Sequence, residues 1–161
     1  MRIKRITELE VEREQLQKGD RIQIADAEWK VLDIKDGKAL IWKCTKVKDH
    51  IFNDNGSNKY EGSDIQRYLQ EDFPETMTVE IMEDVTKEGF FLLTEDQVKE
   101  YMPHEIDRIV TDEDDRTTWW WTATPYVGYG NYVRTIHPDG SYNGYLATNS
   151  YGVAPACWIH L

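Results

Sequence analysis

Polar and apolar residues alternate from Arg21 to Ile24, with Ile22 and Ile24 on one side, the period of a half-buried strand. After a turn at Ala25 to Glu28, the residues Trp29, Val31 and Ile34 fall near one face of a second strand. Asp36-Gly37 signals a tight hairpin into the apolar run Ala39 to Cys44, so a three-strand meander is expected by about residue 45. Ser63 with Gln66 three places on predicts a capped helix whose Ile65, Tyr68 and Leu69 share a face, ended by Pro74. Met77 to Val85 fits helix and strand spacing equally. Gly89 to Leu93 reads as a short buried strand, and Thr94 with Gln97 opens a second capped helix running to about Met102. Residues 103 to 118 are polar and read as loop.

The most apolar stretch follows, Trp119-Trp120-Trp121-Thr122-Ala123-Thr124-Pro125. Side chains on a strand alternate between faces, so Trp120 points opposite to Trp119 and Trp121. One side of the run is expected in the core, the other under a loop or open as a contact surface. Tyr132 to Ile136 alternates as another strand, His137-Pro138-Asp139-Gly140 has the residues of a type I turn, and a strand bearing Tyr142 and Tyr145 should follow. The apolar segment Ala156 to Leu161 should be pinned in a sheet. Strands, two helices and further strands argue for an α+β fold in one domain spanning residues 19–161. Residues 1–18, rich in charge and lacking Gly and Pro until Gly19, form an N-terminal extension with a short helix expected from Glu8 to Gln17.

Charge changes this picture by its distribution. The 161 residues carry a net charge of -11, yet residues 119–161 contain one basic and one acidic residue, against 6 and 19 in residues 51–118. The uncharged tail holds four of the six Trp and six of the nine Tyr. A binder of nucleic-acid phosphates needs the opposite sign, which argues against direct nucleic-acid binding. No apolar run approaches the roughly 20 residues of a membrane-spanning helix. The basic start has no apolar segment behind it to make an export signal, so a cytoplasmic location with Cys44 and Cys157 reduced is expected.

Candidate chemistry is sparse. Ser141 stands one place too early in Gly140 to Gly144 for a nucleophile elbow. Gly128-Tyr129-Gly130 lacks the helix a dinucleotide fingerprint requires, and His50, His104, His137 and His160 lack the spacing of a zinc site. Asn53 to Asn58 fails the acid and glycine positions of a calcium loop and reads as turns closed by Asn and Asp side chains. No catalytic residue, metal or cofactor is assigned.

Several blocks in order resemble a bacterial domain family of unknown function. They are Gly19-Asp20, Glu28-Trp29-Lys30-Val31-Leu32, Ser63 to Leu69, Phe91-Leu92-Leu93-Thr94, Trp120 to Pro125 and Gly152 to Trp158. That family is similar to C-type-lectin-like domains of the branch shared with formylglycine-generating enzymes and with phage and retroelement variable proteins. The resemblance implies paired N- and C-terminal strands, two helices flanking a mainly antiparallel sheet, and a long excursion before the last strand that builds a binding face. It implies no catalytic residues, and its members occur in bacterial genomes and mobile elements. Ala123 and Ala154 stand where the family has Arg, so any role of those guanidinium groups does not transfer.

Aromatic residues spaced by Ser, Thr, Asn and Gly make rigid amphipathic contacts at small entropic cost. The expected function is therefore a non-catalytic binding module that engages a protein or glycan, with Trp120, Tyr126, Tyr129, Tyr142, Tyr145 and Tyr151 as its ligand-binding set. At least two of Trp119, Trp121 and Trp158 are expected in the core. The alternative is an acidic intracellular inhibitor, encoded by a phage or mobile element, that blocks a basic nucleic-acid site on a partner protein.

Overall fold

The computed structural model describes residues 3–5, 10–24 and 27–161. In chain order the strands are β1 (Ile3–Arg5), β2 (Glu10–Val11), β3 (Arg21–Ile24), β4 (Ala27–Lys35), β5 (Lys38–Trp42) and β6 (Asp49–Ile51). Three helices follow, α1 (Asp64–Arg67), α2 (Val79–Asp84) and α3 (Glu95–Tyr101). After them come β7 (Val110–Thr111), β8 (Thr117–Thr118), β9 (Trp120–Pro125), β10 (Tyr132–Ile136), β11 (Tyr142–Leu146), β12 (Ser150–Gly152) and β13 (Ala156–His160).

Among the described residues the strands form a first sheet, β13-β5-β4-β3-β1-β2, and a second, β11-β10-β9-β12-β6, with β7 and β8 as a separate pair. The fold is mixed α+β and mostly antiparallel, with one parallel contact between β12 and β9. The expected meander is β3, β4 and β5. Its hairpin turn at Asp36-Gly37 has both residues at positive φ, 52° and 73°, the left-handed pair that a two-residue turn demands. A register shift between Val31 and Asp33 bulges Leu32 out of β4, which is how Trp29, Val31 and Ile34 reach one core despite their odd spacing.

The terminal strands do not pair as the resemblance implies. β13 lies against β5 through Ala156↔Trp42 to His160↔Lys38, while β1 pairs with β3 on the far side of the same sheet. The helix expected over Glu8–Gln17 is also corrected where it falls on described residues. Glu10–Val11 extends the sheet through β1, and Arg13–Gln15 makes a single tight turn whose Glu12 and Gln15 cap each other. Glu8 and Leu9, like Ala25 and Asp26 of the expected turn, lie outside the described residues.

Ser63 accepts from the N–H of Gln66, but the Gln66 side chain reaches Gly62 rather than Ser63, so the first capping box is displaced by one residue. The helical path runs on through a widened turn, where Phe73 N–H bonds Tyr68 O, and past Pro74 to Thr76. Thr94 and Gln97 form the complete reciprocal box for α3. Met77 to Val85 resolves as helix α2. Gly89 to Leu93 is not a strand, but Phe91 exchanges two main-chain hydrogen bonds with Ala156, which covers the outer edge of β13.

Both sheets are buried on both sides at their centres, because two cores flank them. Ile22, Trp29, Ile41, Trp121, Cys157 and Ile159 enter the larger core beneath α1. Leu40, Trp42, Trp120, Ile136 and Ala156 enter a second core closed by Val98 and Met102 at α3. Strands covered on two faces read as continuous apolar runs, which accounts for Ala39 to Trp42 and for Trp120-Trp121. Among the described residues no helix is long and apolar enough to cross a membrane.

Candidate functional site

The loop joining β9 to β10, residues 126–131, is tightly hydrogen-bonded and apolar at its tip. Three main-chain bonds tighten it: Tyr126 N–H to Tyr132 O, Tyr129 N–H to Tyr126 O, and Tyr132 N–H to Tyr129 O. Asn58 clasps it from outside, its Nδ2 donating to Tyr129 O at 2.9 Å and Tyr132 O at 3.1 Å, and its N–H donating to Gly130 O at 3.1 Å. The Asn-rich loop 53–58 is itself closed by Ser57 N–H to Asn55 Oδ1 and Gly56 N–H to Asn53 O. It serves as a buttress for this tip. On the tip, Val127 is 90% exposed and Tyr129 58% exposed. Apolar side chains held out this far on a rigid loop cost solvation without adding to the core.

Beneath the tip, Tyr126, Tyr129, Tyr132, Asn143 and Gly144 line a cleft of about 290 Å³. The three rings stand 5.5 to 6.3 Å apart. Gly144 makes room for one of them, since a Cβ there would lie 2.3 Å from Cδ2 of Tyr126. The Arg134 guanidinium lies 4.3 Å from the centre of the Tyr126 ring.

From that ring a ladder of alternating cations and rings crosses the same side of the second sheet. Glu95, buried at the start of α3, accepts from Arg134 Nε at 3.2 Å and Lys99 Nζ at 3.1 Å. Lys99 reaches to 5.5 Å from the centre of the Tyr142 ring, and buried Arg108 lies over the same ring at 4.5 Å. Arg108 donates to Gly140 O, Met102 O and Tyr142 Oη, so three oxygens compensate its lost hydration. Tyr142 is thereby a framework residue.

Of the expected ligand-binding set, Trp120 is corrected: it is fully buried, stacks 5.2 Å from Trp42, and its Nε1 donates to Arg108 O. The expectation assumed a strand with one wet face, whereas β9 is covered on both. Tyr126 and Tyr129 meet at the cleft. Tyr145 and Tyr151 are half-buried on the opposite side of the sheet, packed on the larger core with Trp119, and so do not share a surface with the tip. Trp121 is core as expected, whereas Trp119 and Trp158 are partly buried and lie outside the sealed interior. Sequence reading missed Val127, Asn58, Asn143 and Gly144. Two glycines and a proline around Val127 were the available sign of a protruding turn.

Ala154 is buried in the second core, and partly buried Ala123 packs against the larger one. His137, Asp139 and Ser141 converge in one turn. Asp139 takes the serine hydroxyl at 2.6 Å and the imidazole at 3.0 Å, and hydrogen bonds from Ser141 followed by the nearby His137 hold its carboxyl below the usual range. The carboxylate thus stands between serine and histidine, an order that differs from the serine-histidine-carboxylate chain of a hydrolytic triad. Burial pushes the Cys157 thiol far up and the Cys44 thiol up as well. Among the described residues no group of His, Cys, Asp and Glu is placed to hold a metal ion.

Residues 82–161 match the model of a family described as a domain of unknown function, DUF6273. The matched stretch includes α3, the tyrosine tip, β11 and β13. No curated protein and no solved structure matches the chain.

Proposed function

We propose that this chain is a non-catalytic binding module whose tip, residues 126–131, engages a protein or glycan ligand. The observation that carries the reading is the pairing of exposure with rigidity. Val127 and Tyr129 are held in solvent by a loop that Asn58 ties down at three points. Rigid aromatic anchors lose little entropy on contact, which is what a recognition surface needs. The placement of His137, Asp139 and Ser141 and the raised Cys thiols favour recognition over catalysis. Two free, buried cysteines fit a reducing, cytoplasmic setting.

The architecture supports a divergent C-type-lectin-like domain, in which flanking helices and a long excursion, residues 103–152, present the tip while the last strand is housed against β5. The acidic-inhibitor alternative draws on the acidic middle of the chain, where residues 51–118 hold 6 basic and 19 acidic residues, with Glu113, Asp114 and Asp115 exposed on the turn between β7 and β8.

The test is the double substitution Val127→Ser with Tyr129→Ala, both at positions outside the cores. Capture of ligands from a host lysate and on a glycan array should fall at least tenfold while the melting temperature is unchanged. Undiminished capture by the folded variant refutes the tip. Loss of wild-type capture in high salt, with the double variant behaving as wild type, favours the acidic turn.

A further inference from the structure

The second sheet ends in β11, and the outward side of that strand is open. Tyr142, Gly144 and Leu146 sit opposite Ile136, Arg134 and Tyr132. The N–H of Gly144 is taken by the side chain of its neighbour Asn143 at 2.8 Å, so it faces away from β10. By the two-residue period of an antiparallel ladder, the N–H and C=O of Tyr142 and Leu146 face the same way. Leu146 O is held by Asn149 N–H. Among the described residues, no main-chain partner meets Tyr142 N–H, Tyr142 O, Gly144 O or Leu146 N–H.

Natural sheets blunt such an edge with charge, proline, a bulge or a covering segment. The neighbouring edges follow that rule, since β13 is covered by Phe91 and Thr86, and β6 has three residues beginning at Asp49. β11 reads Tyr-Asn-Gly-Tyr-Leu and is regularly paired over its whole length. The tyrosine cleft opens at Gly144, halfway along it.

We propose that β11 receives an extended segment of a partner polypeptide as a sixth strand of this sheet. The segment's carbonyl displaces the Asn143 carboxamide from Gly144 N–H, and its side chain opposite Gly144 enters the cleft between Tyr126, Tyr129 and Tyr132. Main-chain bonds supply affinity in this mode and the pocket supplies selection. The cleft is walled by three tyrosine rings and has no charged lining residue, so the central side chain is an uncharged aromatic or branched one. This deepens the binding-module reading by naming the ligand class and rests on that reading.

A random nonapeptide library displayed on phage, selected against the intact chain, supplies the probe. Enriched peptides should carry a central aromatic or branched residue. Methylating the peptide's amide nitrogens one at a time should show a parity: alternate positions weaken binding about fivefold or more, the worth of a lost hydrogen bond, and the intervening ones much less. Bound peptide should slow amide exchange at Tyr142 and Leu146. Absence of enrichment, or equal sensitivity at every amide, overturns strand addition. Concentration-dependent dimers that protect the same amides without peptide also overturn it, because the edge then serves a second copy. Enriched peptides that lose affinity for the Val127→Ser, Tyr129→Ala variant but show no parity would leave the tip standing and remove the strand. Parity that survives in that variant would do the reverse.

Discussion

Replacing Asn58 tests whether the tip is held or merely folded over. Asn58→Ala removes two donations, to Tyr129 O at 2.9 Å and Tyr132 O at 3.1 Å, while its N–H keeps Gly130 O. Tyr132 O retains the bond from Tyr126 N–H, and Tyr129 O retains the bond from Tyr132 N–H. The net loss is therefore about 1 to 2 kcal/mol for the two bonds together. That loss is local to residues 126–132, so amide exchange at Tyr126, Tyr129 and Tyr132 should quicken about 5- to 30-fold, the ratio such an energy implies.

Asn58→Asp sharpens the test. A carboxylate of the same shape accepts but cannot donate, and it would face two carbonyl oxygens, so at pH 7 it should loosen the loop more than alanine does. Those carbonyls disfavour the charged form and raise the folded-state pKa of the introduced acid. The extra penalty is then complete above that pKa and vanishes below the ordinary carboxylate value of about 4. Exchange measured by NMR from pH 7 to pH 3 should converge on the alanine rates or slower. Unchanged protection in Asn58→Ala, or an aspartate variant that matches alanine at pH 7, would refute the clasp.

Trp120→Ala should cost about 3 to 5 kcal/mol in denaturant unfolding, as for other large buried aromatics, whereas Tyr129→Ala should stay within about 0.5 kcal/mol; equal costs would contradict the two-sided burial of β9. Gly140→Ala sets a Cβ 2.2 Å from Glu105 O at a φ of 87°. Backbone cannot yield as a side chain can, so a loss of about 2 to 4 kcal/mol is expected from strain and overpacking, and a wild-type melting temperature would refute it. Burial, then the hydrogen bond to Asp33, pushes Tyr101 up to about 12, and burial pushes Tyr60 up to about 12. Absorbance titration should show a late tyrosine step, with their contribution to stability present below about pH 10 and lost as pH rises through 12; a single step near 10 would exclude it.

Local signals in the sequence were read where a few adjacent residues decide the outcome. Asp36-Gly37 closes its hairpin, His137 to Gly140 closes the turn between β10 and β11, and Thr94 with Gln97 caps α3. What escaped depends on partners far along the chain. The bulge at Leu32 answers to a second core that a single strand's pattern does not reveal. Trp120 is buried although alternation predicts it on the surface, because alternation separates a dry face from a wet one only where one side of the strand is open. Phe91 looked like a strand because it sits beside one, lending two hydrogen bonds to Ala156 without a ladder of its own. Asn58 lies in the loop that the Asn and Asp residues predict, yet its hold on Tyr129 spans 71 residues and leaves no trace in spacing.

The seating of Ala156–His160 against Lys38–Trp42 bears on how the molecule is made. More than a hundred residues separate these neighbours, so a ribosome releases β5 long before its companion exists, with an apolar flank of Ala39, Leu40, Ile41 and Trp42 on offer to other nascent chains. Folding that waits for so distant a closure is slow and prone to association. Yield in a cell should therefore follow chaperone supply and synthesis rate more closely than it follows the equilibrium stability of the finished protein.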